Sequence, residues 1–178
     1  MGELALKNSP AVYSEKEDYQ YLTFSSGGDM FAIGILAIKE IIEYGNLTCV
    51  PMMPNFVRGV INVRGSVVPV IDLAARFGRK TSDVTRRSCI VIIEAKTEND
   101  DQQDIGVMVD AVSAVMEIPS KEIEPPPSFG SRIRVDFISG MAKIDHKFVI
   151  VLNVEKVLSV EEMTMISEMT NLPSDITE

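Results

Sequence analysis

Few side chains in this sequence have the type and spacing that enzymes use for chemistry. The sole histidine, His146, stands between Asp145 and Lys147. A catalytic base needs a nucleophile beside it and a third group to orient it, and this short turn-like segment suggests neither. The two cysteines, Cys49 and Cys89, lie in apolar surroundings and lack the close spacing of a zinc site or a redox pair. We expect buried thiols, no metal site and no cofactor.

Sequence motifs for nucleotide and acyl chemistry are missing as well. The chain contains no glycine-rich phosphate loop, no zinc-binding helix and no Gly-x-Ser-x-Gly elbow. Its carboxylates are scattered, and their pattern does not suggest a paired general acid and base. We therefore predict that the protein is not an enzyme but a binding module.

Composition bounds the class of protein and its partners. With 178 residues, of which 46% are hydrophobic, the chain can form one well-buried domain or two small ones. A net charge of -9 disfavours nucleic acid, and we expect the basic residues near Arg79-Lys80 and Arg86-Arg87 to be a solvated loop. No apolar run is long enough to span a membrane and no secretory signal is present, which predicts a cytoplasmic protein.

The segment 58–73 predicts a β-hairpin that could present a recognition residue. Two runs rich in Val and Ile flank Arg64-Gly65-Ser66, and β-branched residues favour strands while glycine permits a tight turn. Arg64 would lie at the tip. It is either a solvated turn residue or part of a recognition surface, and the residue pattern alone leaves both open.

The remaining elements must position this hairpin. We predict a frayed tail over 1–18, strands over Gln20–Ser25 and Met30–Ile35, and a bend near Leu36 followed by a short strand, for which an amphipathic helical turn is the alternative. Around the central hairpin we predict one helical turn at Asn55-Phe56-Val57 and a short helix through Phe77 that is capped by Asp72 and ended by Gly78. A polar linker over 79–87 should lead to a second hairpin of Cys89–Ile93 and Ile105–Val109. The last predicted elements are a surface segment at Pro125-Pro126-Pro127 and a terminal helix after Ser159.

An internal repeat indicates two related β-units. Gly59–Leu73 can be laid on Gly140–Val154 without a gap, and nearly every apolar position then matches. Ile33-Gly34-Ile35-Leu36 similarly resembles Ile105-Gly106-Val107-Met108. A repeated motif order usually reflects a repeated supersecondary structure.

The phrase Asn62-Val63-Arg64-Gly65, followed by Val67–Leu73 and Arg76-Phe77-Gly78, resembles the signature of the CheW family. These adaptors couple chemoreceptors to the CheA histidine kinase in bacterial chemotaxis. The resemblance extends over residues 19 to about 169, with Phe31–Ile35, Gly106–Asp110 and Ile138–Met141 as further motifs. It implies a mainly β fold of two SH3-like five-stranded β-barrels, with short helices and a C-terminal helix, over residues 19–170 between tails at 1–18 and 171–178.

The resemblance also implies two contact surfaces. Receptor-side positions map to Ile38, Glu40, Ile41 and Arg64, with Glu40 as the partner of Arg64. Kinase-side positions map to Arg58, Gly59 and Phe129. Phe129 could instead tuck onto the core, because a loop aromatic can pack inward or serve as an interface anchor.

The partners implied by the resemblance are a CheA-type histidine kinase and methyl-accepting chemoreceptors, in membrane-associated arrays. The alternative is a detached CheW-like regulatory module of a CheA-type kinase or of a CheV-type adaptor. The chain has room for neither a kinase ATP-binding domain nor a receiver domain. It departs from the family pattern at Phe137, where a Tyr is common, and in the acidic loop 99–104.

Overall fold

Within the residues that the structure describes, the chain forms two β-sheets with very little helix. The computed structural model describes residues 20–96, 102–125 and 137–157. The six-stranded sheet contains β1 (Gln20–Ser26), β2 (Asp29–Gly34), β8 (Ala111–Glu117), β9 (Ile123–Glu124), β10 (Ile138–Ile144) and β11 (Lys147–Leu152). The five-stranded sheet contains β3 (Ile38–Glu43), β4 (Val57–Val63), β5 (Ser66–Asp72), β6 (Cys89–Lys96) and β7 (Gln102–Val109). The predicted mainly β fold of two small units is confirmed.

The chain begins in one sheet, builds the other and then returns. Strand order is β8-β1-β2-β11-β10-β9 in the six-stranded sheet and β3-β6-β7-β5-β4 in the five-stranded sheet. A 3-10 turn at Ile35–Ala37 carries the chain across, which confirms the predicted bend and strand and rules out the helical alternative. Strands β1 and β2 therefore complete a sheet whose other strands follow residue 110.

The predicted repeat is confirmed by the register of two hairpins in separate sheets. Val63 pairs with Ser66 in the β4–β5 hairpin, and Ile144 pairs with Lys147 in the β10–β11 hairpin. Both turns have two residues with positive φ, which matches the twist of tight hairpins. These turn residues are Arg64 and Gly65 in one hairpin and Asp145 and His146 in the other.

The repeat includes irregular features as well as strands. Each hairpin has a bulge near the start of its first strand, at Arg58 in β4 and at Ser139 in β10. A neighbouring segment then joins the outer edge: Thr48 forms a bridge with Val60, and β9 pairs with the equivalent part of β10. Strand β9 of the six-stranded sheet thus corresponds to the single bridge residue Thr48 at the edge of the five-stranded sheet.

The second predicted similarity, between Ile33–Leu36 and Ile105–Met108, is wrong in register by two positions. Val70 of β5 lies opposite Gly106, whereas its repeat equivalent Val151 of β11 lies opposite Ala32. Ala32, and not Gly34, therefore takes the place of Gly106. Because side chains alternate with a period of two, a two-residue shift preserves the apolar pattern and cannot be detected from it.

The described side chains pack into three apolar clusters. The largest lies between the sheets and contains buried side chains of both, and a smaller cluster lies within each sheet. Phe24, Phe31, Phe77 and Phe137 form a continuous series through the shared cluster, with adjacent ring centroids 5.7 to 5.9 Å apart. Aromatic pairs at this spacing add to the stabilisation that burial alone provides.

Arg76 contacts both halves of the repeat. Its guanidinium carbon lies 5.3 Å from the ring centre of Phe56 and 4.6 Å from that of Phe137, two residues that the repeat makes equivalent. Its Nε donates a 2.9 Å hydrogen bond to the carbonyl of Val157. Arg76 therefore links α1 (Leu73–Arg76), which follows the five-stranded sheet, to the last described turn of the chain.

Other local predictions have mixed outcomes. Asp72 caps α1 and Gly78 follows it with φ of 82°, as predicted. The predicted helical turn at 55–57 is wrong in kind and extent: a hydrogen bond from Val57 to the Pro54 carbonyl closes a single non-helical turn, and Val57 already begins β4. Pro126 and Pro127, the predicted tails and the helix after Ser159 lie outside the described residues. Among the residues that the structure does describe, no helix is long and apolar enough to cross a membrane.

Candidate functional site

Arg64 and Glu40 form an ion pair at one end of the five-stranded sheet. Nη2 of Arg64 lies 3.1 Å from Oε2 of Glu40, and the Arg64 side chain is 84% exposed while that of Glu40 is 25% exposed. Gly65 donates its N–H to Oδ1 of Asn62 at 2.9 Å, which fixes the turn that carries Arg64. The predicted pairing of Arg64 with Glu40 is therefore confirmed as a contact.

The ion pair also shows that the sheet is curled. Glu40 is on edge strand β3, and Arg64 follows β4 on the opposite edge. Side chains from both edges, including Ile42 and Ile61, pack on the same internal cluster around Val70. A flat five-stranded sheet would keep its edges about 19 Å apart, since neighbouring strands are about 4.8 Å apart. The edges instead approach each other, as in the predicted barrel.

A bulge at Lys39 places the receptor-side candidates on two faces of β3. Ile38 lies opposite Ile93 and Glu40 lies opposite Ile92, so Lys39 has no partner in the β6 register. Ile38 consequently packs against the cluster between the sheets. Ile41, two positions from Lys39, is 42% exposed.

A groove adjoins this region where the chain crosses between the sheets. It has a volume of about 350 Å³, and most of its exposed lining is apolar. Leu36, which is 67% exposed and lies two residues before Ile38, contributes to one wall. The lining residues are Tyr21, Gly34, Ile35, Leu36, Ala37, Ser139, Leu152, Asn153, Val154 and Glu155.

Arg58, a predicted kinase-side residue, is tied into the fold by its side chain. Its Nε donates to the Tyr44 hydroxyl at 3.1 Å, and its guanidinium lies over the Tyr44 ring. Nη1 donates to the Ser82 carbonyl at 3.3 Å and lies 3.7 Å from Oδ2 of Asp72. The Arg58 side chain is only 22% exposed, and these contacts direct its guanidinium into the fold.

Asp72 is the centre of this polar network and is fully buried. Its carboxylate accepts hydrogen bonds from the N–H groups of Ala74 and Ala75 at the start of α1. It also accepts from the Ser82 N–H at 2.7 Å and from the Ser82 hydroxyl at 2.9 Å. A buried carboxylate is stable only when its oxygens are paired in this way. The same contacts anchor the linker that follows α1.

Gly59, the second kinase-side candidate, is required by the backbone. Its φ is 145°, and a Cβ there would collide with the carbonyl oxygen of Thr48. Its repeat equivalent, Gly140, has no room for a Cβ beside Ile123 and the carbonyl of Glu124. Both glycines thus permit the edge segment to approach the hairpin. Phe129, the third candidate, lies outside the described residues.

An ion cluster that the sequence did not predict surrounds the bulge residue Lys39. Its ammonium group bonds to both carboxylate oxygens of Asp104, at 3.0 and 3.1 Å, and lies 3.6 Å from Glu94. The hydrogen bond and the charge of Asp104 raise the pKa of Lys39 above its ordinary value. These residues are distant in sequence, so only the strand pairing brings them together.

The histidine and the two cysteines that the sequence analysis singled out can be placed in the fold. The described part of the chain holds no group of three or more His, Cys, Asp or Glu side chains arranged to bind a metal ion. His146 is exposed at its turn, as predicted. The prediction of buried thiols is wrong for Cys49, which is exposed on the segment that the Thr48–Val60 bridge joins to the sheet, and Cys89 is only partly buried.

Comparisons with known proteins agree with this architecture. The sequence matches the CheW-like domain family over residues 20–162. "Probable chemotaxis protein CheW" of Rhizobium etli is 32% identical over 142 residues, covering 80% of this chain and 88% of that protein. "Chemotaxis protein CheW" of Klebsiella aerogenes is 29% identical over 140 residues, covering 79% and 81% respectively. The crystal structure of the scaffolding protein TtCheW from Thermoanaerobacter tengcongensis matches with a TM-score of 0.72 and 32% identity, covering 82% of this chain and 90% of that one.

Proposed function

We propose that this chain, which belongs to the CheW family of non-catalytic chemotaxis scaffolding proteins, links chemoreceptors to a CheA-type histidine kinase. It would act in the cytoplasm and be recruited to receptor arrays at the membrane. The receptor side is assigned to Ile38, Glu40, Ile41 and Arg64, and the kinase side to Arg58, Gly59 and Phe129.

The observation that best supports the receptor side is the exposed Arg64–Glu40 pair. Arginine is a frequent anchor of protein interfaces, and Glu40 holds this arginine in one orientation before a partner arrives. The exposed side chains of Leu36 and Ile41 add apolar surface on the neighbouring crossing segment and on β3. Together they offer the apolar contact area and the charged anchor that a receptor helix could use.

On the kinase side, Arg58 and Gly59 contribute through the shape of the backbone. Gly59 lets the Thr48 segment lie against β4, and Arg58 connects that strand to Tyr44 and Ser82. The interactions of Arg58 are directed mainly into the fold. We therefore assign the kinase contact to the surface formed by β4 and the Thr48 segment, and not to the Arg58 side chain by itself.

Reconstitution tests the proposal. Purified chain is mixed with the CheA-type kinase and with membranes containing a chemoreceptor from the same organism, and kinase autophosphorylation and co-sedimentation are measured. Receptor-dependent kinase activity should require the chain, which should sediment with both partners. The chain alone, incubated with ATP, should show neither hydrolysis nor autophosphorylation. Equal receptor control of the kinase with and without the chain would disprove the adaptor function.

A further inference from the structure

The loop between α1 and β6, residues 79–88, is basic on an otherwise acidic protein. It carries Arg79, Lys80, Arg86 and Arg87 against a single acid, Asp83, whereas the whole chain has a net charge of -9. Arg79 pairs with Asp29 across the sheets and donates to the Gly27 carbonyl. Lys80, Arg86 and Arg87 are exposed and have no ion-pair partner among the described residues. We call residues 79–88 the basic loop.

The basic loop is fixed in place at three points. Asp72 binds both the N–H and the hydroxyl of Ser82. Further along, Thr85 donates its N–H to the Ser88 hydroxyl, and Ser88 donates its N–H to the Thr85 carbonyl, which closes a tight turn. The Ser88 carbonyl accepts a hydrogen bond from the N–H of Tyr44. A loop that is ordered before binding loses less conformational entropy when a partner docks.

These contacts determine what the loop displays. Arg86 and Arg87 occupy the two central positions of the turn that Thr85 and Ser88 close. Val84, directly before that turn, is 53% exposed. Two adjacent guanidinium groups beside an exposed apolar side chain suit a carboxylate-rich protein surface, because guanidinium groups bind carboxylates with two parallel hydrogen bonds.

We propose that the basic loop is an electrostatic docking element for an acidic segment of the kinase. This inference rests on the proposed function and extends its kinase side, because Arg58 bonds directly to the Ser82 carbonyl within the loop. The overall charge of -9 repels extended polyanions such as nucleic acid or an anionic bilayer. A short acidic protein segment at the loop lies nearest to the local positive charge, while the more distant acidic groups are attenuated beyond a screening length. The acidic segment of the kinase would contact Lys80, Arg86 and Arg87.

Two triple variants with equal net charge test the assignment. One is Lys80→Gln/Arg86→Gln/Arg87→Gln. The matched control is Lys121→Gln/Lys143→Gln/Lys147→Gln, which neutralises three exposed lysines elsewhere in the fold. The affinity of each protein for the kinase is measured by calorimetry at about 50 mM and about 300 mM salt, because the screening length of exposed charges falls from about 14 Å to about 6 Å between these concentrations. Thermal melts verify that both variants are folded.

The loop variant should bind the kinase roughly tenfold more weakly than wild type at the lower salt concentration and should lose most of the salt dependence. The control should stay within about twofold of wild type. If both variants bind equally well, the docking assignment is wrong while the adaptor function stands. If the wild-type chain does not bind the kinase at all, the proposed function fails first. Loop-dependent binding of the wild type to phosphatidylserine vesicles, with unchanged kinase affinity, would also overturn the assignment.

Discussion

Asp72 and Asn153 occupy equivalent positions in the two sheets, and each caps the short helical turn that follows its strand. Asp72 accepts hydrogen bonds from the N–H groups of Ala74 and Ala75, and Asn153 accepts one from Glu155. Each also donates its own N–H to an aromatic residue's carbonyl, that of Phe56 or that of Phe137. The two sites differ in what else they hold, since only Asp72 is fully buried and anchors the basic loop.

This difference predicts unequal costs for removing the two caps. Asp72→Ala should lower the free energy of unfolding by about 3 to 5 kcal/mol, because it leaves the Ser82 N–H and the Arg58 guanidinium without a buried partner. Asn153→Ala should cost about 1 kcal/mol, the usual value for a lost cap. Urea denaturation measures both. Equal costs would show that the Asp72 network adds nothing beyond capping.

The repeated hairpins could be predicted from sequence because their information is local. Alternating Val and Ile residues set the strands, and a Gly or His at the turn accompanies the positive φ. The cap at Asp72 was equally visible, since Leu73-Ala74-Ala75 directly follows it. In each case the residues that determine the structure are neighbours along the chain.

The parts that were missed depend on pairing between distant segments. The bulge at Lys39 is set by how β3 pairs with β6, and nothing in its own strand marks it. The two-residue error at Ala32 arose because alternation repeats every two positions. The contacts of Arg58 with Asp72 and Ser82 join three segments that are separate in sequence. The family resemblance therefore indicates Arg58 as an interface residue but does not reveal that its side chain stabilises the fold.

Gly59→Ala should be strongly destabilising. The change forces a Cβ against the Thr48 carbonyl and places alanine at a φ of 145°, and we expect a loss of about 3 kcal/mol in the free energy of unfolding. Gly65→Ala is the control, since its φ is also positive but no atom lies within 4 Å of the added methyl group. It should cost about 1 kcal/mol. Similar costs in urea denaturation would mean that backbone strain, and not the collision, explains Gly59.

Arg76→Ala should weaken the connection between the two halves of the repeat. It removes the guanidinium from the rings of Phe56 and Phe137 and deletes the hydrogen bond to Val157, at a cost of about 2 to 3 kcal/mol. Arg76→Lys should recover only part of this, because an ammonium group cannot stack on both rings. Arg86→Ala is the exposed control and should stay within about 0.5 kcal/mol of wild type. Arg76→Ala as stable as this control would exclude the linking role.

The last prediction separates the two possible roles of Arg64. An exposed ion pair contributes about 0 to 1 kcal/mol to folding, because solvent screens it and two long side chains must be ordered. Arg64→Ala should therefore leave the melting temperature within a few degrees of wild type. An interface anchor contributes about 2 kcal/mol or more to binding, so the same variant should bind the receptor about thirtyfold more weakly or worse and lower receptor-stimulated kinase activity.

Exchanging the charges of the pair tests whether the receptor recognises their placement or needs only an ion pair at this site. The double variant Arg64→Glu/Glu40→Arg keeps an ion pair at this site while it reverses the charge at the exposed tip. If Arg64 contacts the receptor, the double variant should remain folded and still fail in the reconstituted assay. Restored coupling would instead assign Arg64 to local geometry, since either orientation of the pair can connect the turn to β3. Normal coupling in Arg64→Ala itself would leave Arg64 as a solvated turn residue, and a collapsed melt would make it structural.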